Sequence, residues 1–213
     1  MAATKTDVMN AALAFIGQVR NVKIEDPDEN TSDARTVRRF YDQTLDAFLE
    51  ETWWSWATRY SVLSLNAEAT PEAWGYGYAL PADCVAPRRI VGVTPEEDVE
   101  YEEGISPLGV KLLYCDLSEA ELEYTARVVT FDIWSGQAVR AFELALARDI
   151  APAYTGGKKW QDVEAKYQDA LERAMDASYN RGQPRVQEDN EFIEARHADG
   201  RSYRAKARYV AGS

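Results

Sequence analysis

The side chains of this sequence that could carry chemistry are few, and their spacing sorts them quickly. There is a single histidine, His197. It stands in a polar stretch near the C-terminus, so neither a metal cluster nor a Ser-His-Asp triad can be assembled around a core imidazole. The two cysteines, Cys84 and Cys115, form no Cys-x-x-Cys pair and are too few for a disulfide framework. They read as free thiols in a reducing compartment. The glycines of Trp74-Gly75-Tyr76-Gly77-Tyr78 precede neither a Lys-Ser/Thr pair nor a helical pattern, so they make no phosphate loop. Carboxylates abound. Glu96, Glu97, Asp98, Glu100, Glu102 and Glu103 could be drawn as a cation site, but such a run reads first as solvated charge. Glu50 and Glu51 lie nearest the tryptophans and would be the pair for glycoside hydrolysis. That reaction needs two facing acids, and neighbours on a helix diverge. Arg88 and Arg89 could read phosphate, yet isolated arginines in a strand are usually on the surface or paired with acids. What remains is Trp53-Trp54-Ser55-Trp56, a ligand-stacking platform or a packing hinge. Its place at a helix end before a β-rich stretch favours the hinge. The inventory predicts a protein that is not an enzyme and needs no cofactor or metal.

The elements that must position these residues are legible from periodicity. From Ser32 to Tyr60 the apolar positions Val37, Phe40, Tyr41, Leu45, Phe48, Leu49, Trp53 and Trp56 keep one helix face, which predicts a helix of roughly seven turns. Arg35, Arg38, Arg39, Asp42, Asp46 and Glu50 form its solvated side. An earlier helix is predicted from Thr6 to Ile16, capped by Thr4 with Asp7 and closed by Gly17 in left-handed conformation. The acidic connection Gln18–Thr31 contains Pro27, which excludes a continuing helix. After Tyr60 the period falls to two. Val85–Val93 and Val99–Tyr101 read as strands around Pro95-Glu96-Glu97-Asp98, and Val110–Cys115 and Leu122–Val129 as a second pair around Asp116–Glu119. Leu122, Tyr124, Ala126 and Val128 alternate with polar residues, the mark of a half-buried strand. Pro81 and Pro87 restrict any strand there to a short or edge position. Ser135 then caps a third helix, Ala138–Ala151, apolar on nearly every side and ended by Pro152 and Gly156-Gly157. A fourth, Lys158–Tyr179, carries Trp160, Val163, Tyr167, Ala170, Leu171, Ala174 and Ser178 on one face and is closed by Gly182.

The fold class expected is α+β. A helical bundle of about four helices (1–60 and 131–182) holds an inserted small antiparallel β-unit (61–130), and an extended C-terminal arm (183–213) follows. The arm has few apolar anchors and cannot offset its ordering entropy alone, so it is expected to order only against a partner. With 46% hydrophobic residues the chain can bury a real core, and its net charge of −12 makes the surface strongly acidic. That balance argues against a nucleic-acid or anionic-membrane binder, both of which need a positive footprint. No apolar run approaches eighteen residues, and the N-terminus lacks the basic start and apolar block of a signal peptide.

An ordered series of weak motifs runs along nearly the whole chain. It begins with Asn10-x-x-Leu13-x-x-Ile16-Gly17, and continues with Ala34, Tyr41-Asp42 and Leu45. Trp54-x-Trp56-Ala57 follows with Leu63 shortly after, then Tyr78-Ala79-Leu80-Pro81-Ala82-Asp83-Cys84. Leu144-Ala145-Leu146-Ala147 comes next, and Trp160, Tyr167, Ala170-Leu171 and Ala174 close the series. In order and spacing it resembles the head-to-tail adaptors (tail tubular protein A, the portal-bound connector) of short-tailed bacteriophages. The resemblance implies a self-associated ring, commonly a dodecamer, in the neck of the virion, assembled in the host cytoplasm. The ring would bind the portal protein on its helical side and the tail nozzle or tail tube protein on its β side, and DNA would pass through without specific binding. The arm would dock on the portal through Arg185, Phe192, Ile193, Arg196, Tyr203, Arg204 and Tyr209. A tail completion or terminator ring touching only tail components is the alternative within the same virion.

Overall fold

The computed structural model describes residues 3–18, 23–66, 70–92, 98–156 and 159–179. Helix ends follow their caps. In α1 (Lys5–Phe15) the Asp7 N–H donates to Thr4 Oγ1 at 3.1 Å, and the Thr4 N–H donates back to Asp7 Oδ2 at 2.9 Å. This reciprocal box satisfies two otherwise orphaned donors. At the far end Gly17 adopts φ +86°, its N–H reaching Ala14 O while the Gln18 N–H reaches Leu13 O, both at 3.0 Å. Only a residue without Cβ enters that region freely, so the expected stop is the observed one.

α2 (Ser32–Glu50) starts on Thr31 and is shorter than its apolar stripe suggested. The seven-turn helix is not formed. Trp53 to Ala57 leave the helix, with the Ala57 N–H closing a turn on Trp54 O at 3.0 Å, and a strand begins at Thr58. The reason is competition for the last carbonyls. The Trp54 indole takes Phe48 O at 2.9 Å, and Arg88 takes those of Leu49, Glu50 and Thr52. The Thr52–Trp56 stretch, aromatic and β-branched, adds little helix propensity against them.

α3 (Gly136–Thr155) is capped by Ser135 as expected, its Oγ accepting the Ala138 N–H at 3.0 Å. Pro152 does not end it. The helix runs on to Thr155 and stops at Gly156, φ +61°. One proline removes one ladder bond, and the fully buried Ile150 and Ala151 hold the segment in place. α4 (Trp160–Tyr179) buries Val163, Tyr167, Ala170, Leu171, Ala174 and Ser178. Trp160, expected on that face, is 42% exposed.

Eight strands lie between α2 and α3 in chain order: β1 (Thr58–Val62), β2 (Ser64–Leu65), β3 (Tyr76–Ala79), β4 (Cys84–Val91), β5 (Asp98–Val99), β6 (Glu102–Ile105), β7 (Lys111–Cys115) and β8 (Glu121–Ala126). They form two antiparallel sheets, ordered β1-β8-β4-β5 and β2-β3-β7-β6. The β4–β5 pair matches expectation, but β7 and β8 are no hairpin. Their connection passes from one sheet to the other, held where the Tyr78 hydroxyl donates to Leu117 O at 2.7 Å and the Gly75 N–H to Asp116 Oδ1 at 2.8 Å. β8, expected to be half-buried, is covered on both faces, with Leu122 and Thr125 alike inaccessible. Pro87 lies opposite Tyr124 of β8, between two register shifts of β4 and upstream of the two residues that pair with β5, so the proline sits at an irregularity of an inner strand and not in an edge strand. β1 starts three residues before the expected boundary of the β-unit.

One hydrophobic cluster draws on every layer, including Leu13, Phe48, Ile90, Leu113, Leu122, Phe142 and Tyr167. Among the described residues the fold is therefore α+β, four helices with two antiparallel sheets around a shared core. The chain divides into two units, Met1–Gly182 and Gln183–Ser213. The second, with His197 and every arm residue from Arg185 to Tyr209, lies outside the described residues. So do the acidic turn Pro95–Glu97 and the proposed stop at Gly182. Among the described residues no helix is long and apolar enough to cross a membrane.

Asn10 fastens the connection after α1. Its Nδ2 donates to Ile24 O at 2.8 Å and its Oδ1 accepts the Ile24 N–H at 2.9 Å, so one amide completes both backbone groups of a residue that is 1% exposed. Asn10→Ala leaves both unpaired, and urea unfolding is expected to show a loss of about 1–3 kcal/mol.

Candidate functional site

The densest arrangement of aromatic and charged groups lies where α2 ends and β1 begins. The aromatics come from four places. α2 supplies Phe48, the turn supplies Trp54 and Trp56, a short 3-10 turn (Phe131–Ile133) supplies Phe131 with Trp134 following it, and α3 supplies Phe142. Phe48 stacks on Trp54 at 4.8 Å and on Trp134 at 5.7 Å between ring centroids, while Trp56 lies 4.2 Å from Trp134. Phe131 meets Trp134 edge-on at 5.0 Å. Such pairs add to the stabilisation from burial alone. Trp54 is fully buried and Trp56 half-buried, whereas Trp53 is 46% exposed. Of the three residues expected in the hinge, the structure brings Trp54 and Trp56 into the cluster and turns Trp53 towards solvent.

Polar side chains rivet the same joint. Arg88 on β4 directs Nη2 at the carbonyls of Leu49 (3.2 Å), Glu50 (3.1 Å) and Thr52 (2.7 Å), and Nε at Thr125 Oγ1 (2.8 Å). A guanidinium from the sheet thus caps the negative end of the helix dipole and satisfies carbonyls that the helix leaves open. Burial pulls its pKa down from the usual arginine range, but a guanidinium keeps its charge at any physiological pH. Arg127, just past β8, reaches Asp46 at 2.6 Å and Asp42 at 2.7 Å on α2, and those hydrogen bonds raise its pKa further. Asp83 gathers three partners. Its carboxylate accepts from Arg59 and from the Tyr124 hydroxyl (3.1 Å), and its carbonyl accepts the Arg127 N–H (2.7 Å). Glu123, 6% exposed within β8, is matched by Arg89 at 2.8 Å and the Tyr60 hydroxyl at 2.6 Å, as a buried charge requires.

On the other side, α4 is tied in through Tyr167, whose hydroxyl donates to Glu51. Burial first, and that carboxylate second, push the phenol well above its ordinary range. The Ser55 N–H donates to Ser178 Oγ at 2.9 Å, and Thr44 Oγ1 donates to Asp149 Oδ2 at 2.6 Å. Arg88 and Arg89, weighed as a phosphate reader, are both engaged inside the protein. Of Glu50 and Glu51, weighed as a hydrolytic pair, the first gives its carbonyl to Arg88 and the second its carboxylate to Tyr167. The thiols are free. Burial pushes Cys84 up to about 11 and raises Cys115 as well, so both are protonated and poorly nucleophilic at neutral pH. Among the described residues no group of three or more His, Cys, Asp or Glu is placed to hold a metal ion. Chemically this joint holds elements in place. It presents bonds already made rather than an acid and base facing an open cleft.

Sequence reasoning missed Arg88 and Asp83 as structural centres. Asp83 lay inside a quoted motif, but the cap from Arg88 joins residues 36 to 39 positions apart and leaves no local signal. No protein-family model and no curated protein matches this chain.

Trp54→Ala should cost about 3–5 kcal/mol in chemical denaturation. Trp53→Ala, at an exposed position, should cost under about 0.5 kcal/mol. Arg88→Met keeps the length and removes the cap. It is expected to lower stability by about 1–3 kcal/mol, with the difference unchanged at high salt because the carbonyls are neutral partners.

Proposed function

We propose that this chain is a structural head-to-tail adaptor, a ring component that binds the portal and joins a DNA-filled head to its tail. The observation that carries the reading is where the motif residues sit. Asn10 fastens Ile24, Gly17 ends α1, Trp54 and Trp56 enter the aromatic joint, Tyr78 holds the sheet-to-sheet connection, and Asp83 gathers three partners. The residues behind the resemblance are thus the ones that make helices and sheets into one body, as a load-transmitting ring component requires. The net charge of −12 supports it too, since an acidic wall repels passing phosphates and does not retain DNA. In this reading the strands form a unit inserted between the helices, the bundle faces the portal and the sheets face the tail. Residues 183–213 form an extended arm that grips the portal through Arg185, Phe192, Ile193, Arg196, Tyr203, Arg204 and Tyr209. The protein then resides in the neck of the virion.

Electron cryomicroscopy of particles containing this chain tests the assignment. Ring density of this fold against the portal is expected, and density confined to the tail tube would overturn it in favour of a terminator. At the level of residues, F192A/I193A should weaken co-sedimentation with purified portal rings at least about tenfold, as loss of two buried anchors does. Unchanged binding would remove the arm from the interface.

A further inference from the structure

Between α3 and α4 lies a groove of about 180 Å³ whose charge runs against that of the chain. Its floor includes Leu144 and Ala170, both buried. Its walls carry Arg140 from α3 and Lys166 and Arg173 from α4, and among the described residues Asp169 is the single carboxylate lining it. Lys166 and Arg173 stand two turns apart on one helix face, about 10 Å along the axis. These cations are only partly engaged. Arg173 meets Asp169 at 2.9 Å, with both side chains largely exposed. Arg140 approaches Glu143 at 3.5 Å, and its guanidinium lies 4.0 Å over the Phe15 ring, which orients it. Lys166 is exposed and has neither an ion pair nor a hydrogen bond among the described residues. In a chain with 36 acids and 24 bases, this stripe is a local reversal of sign.

The connection between α1 and α2 offers a counterpart of opposite charge. The Glu29 carboxylate accepts the N–H groups of Glu25 at 3.1 Å and Asp26 at 3.3 Å, and the Asp26 carboxylate accepts that of Asp28 at 2.8 Å. The Glu29 N–H closes the turn on Asp26 O at 3.1 Å, and Asn10 anchors the turn at Ile24. Two acids thus shape the turn. The other two, Glu25 and Asp28, keep side chains that are 80% and 81% exposed, and Lys23 and Arg38 come no nearer than 3.9 and 3.6 Å. A pair of carboxylates held this way loses little freedom on docking. We propose that the 25–29 turn of one copy seats in the α3–α4 groove of a second copy, with Glu25 and Asp28 facing Arg140, Lys166 and Arg173. Cations spread over about 10 Å match two carboxylates better than one small anion. A nucleic-acid backbone is the poorer occupant, because the net charge of −12 around the groove repels it. The contact is heterologous. Each copy offers one turn and one groove, so it links copies in series. It involves neither the portal nor residues 183–213 and does not rest on the adaptor reading.

The test is sedimentation velocity of the full-length chain over a range of concentrations. Wild type should associate at low ionic strength and less in high salt. Glu25→Lys with Asp28→Lys in one chain, and Lys166→Glu with Arg173→Glu in another, should each associate at least about tenfold more weakly, because like charges then face each other. An equimolar mixture of the two variants restores opposite charges in both directions and should recover association to within about threefold. Recovery also shows that both variants are folded. Glu100→Lys with Glu103→Lys makes the same change in net charge as the first variant, away from the turn, and should associate at least as tightly as wild type. The proposal is overturned if wild type stays monomeric at every concentration, if either of the first two variants associates like wild type, or if their mixture does not recover. It is equally overturned if E100K/E103K weakens association as much as E25K/D28K, since net charge would then be the cause. None of these outcomes bears on portal binding.

Discussion

The placement of Arg88 on the last carbonyls of α2 is the contact on which the rest of the structure depends. A helix end leaves carbonyl oxygens with no partner, and here they face other protein groups. Without the guanidinium, the junction of helix and sheet would hold several unsatisfied acceptors and the negative end of a dipole. With it, the end of α2 becomes the point to which β4 is fixed. Arg88 also bonds Thr125 in β8, so the central strand of the same sheet is positioned by the same side chain. The aromatic joint then fills the space that this geometry defines, with Phe48 and Trp54 stacked beside the capped end.

Around that point the structure is consistent in using arginine for ties between layers. Arg127 fastens the end of β8 to two carboxylates of α2, and Arg89 neutralises Glu123 inside the sheet. A planar, permanently charged fork suits these tasks better than lysine: Arg88 and Arg127 each reach several acceptors, and Arg89 sets two N–H groups on one carboxylate oxygen. The chain is acidic overall, yet at its joints the acids are matched, which leaves the excess charge on the outside.

Much of this was legible in the sequence, and the misses share one cause. The caps at Thr4, Gly17 and Ser135 were readable because a cap is a local bargain between residues three or four apart. The four helices were readable because each buries a continuous stripe. Three features were not readable. The end of α2, the partners of β7 and β8, and the persistence of α3 through Pro152 are all decided by contacts from distant parts of the chain. The stripe through Trp53 and Trp56 kept helical spacing, but Arg88, far away in sequence, and the Trp54 indole claimed the carbonyls that would have extended the helix. The alternation in β8 suggested one wet face. Glu123 and Thr125 instead found Arg89, Tyr60 and Arg88 on that face, which turned polar residues into buried ones. The aromatic site was visible as a cluster of tryptophans, but not the outward turn of Trp53.

The passage of the chain from one sheet to the other between β7 and β8 has a consequence for how the protein is made. β8 is the central strand that β1 and β4 both require, and it is the last of the eight to leave the ribosome. α2 likewise waits for α3, since Thr44 meets a partner 105 residues later and Asp33 one 121 residues later. Early segments of the nascent chain therefore emerge with amphipathic surface and no permanent cover, and folding must close over long loops once β8 and α3 have emerged. The sheet of β2, β3, β6 and β7 can close first, whereas β1 and β4 join into one sheet only when β8 arrives between them.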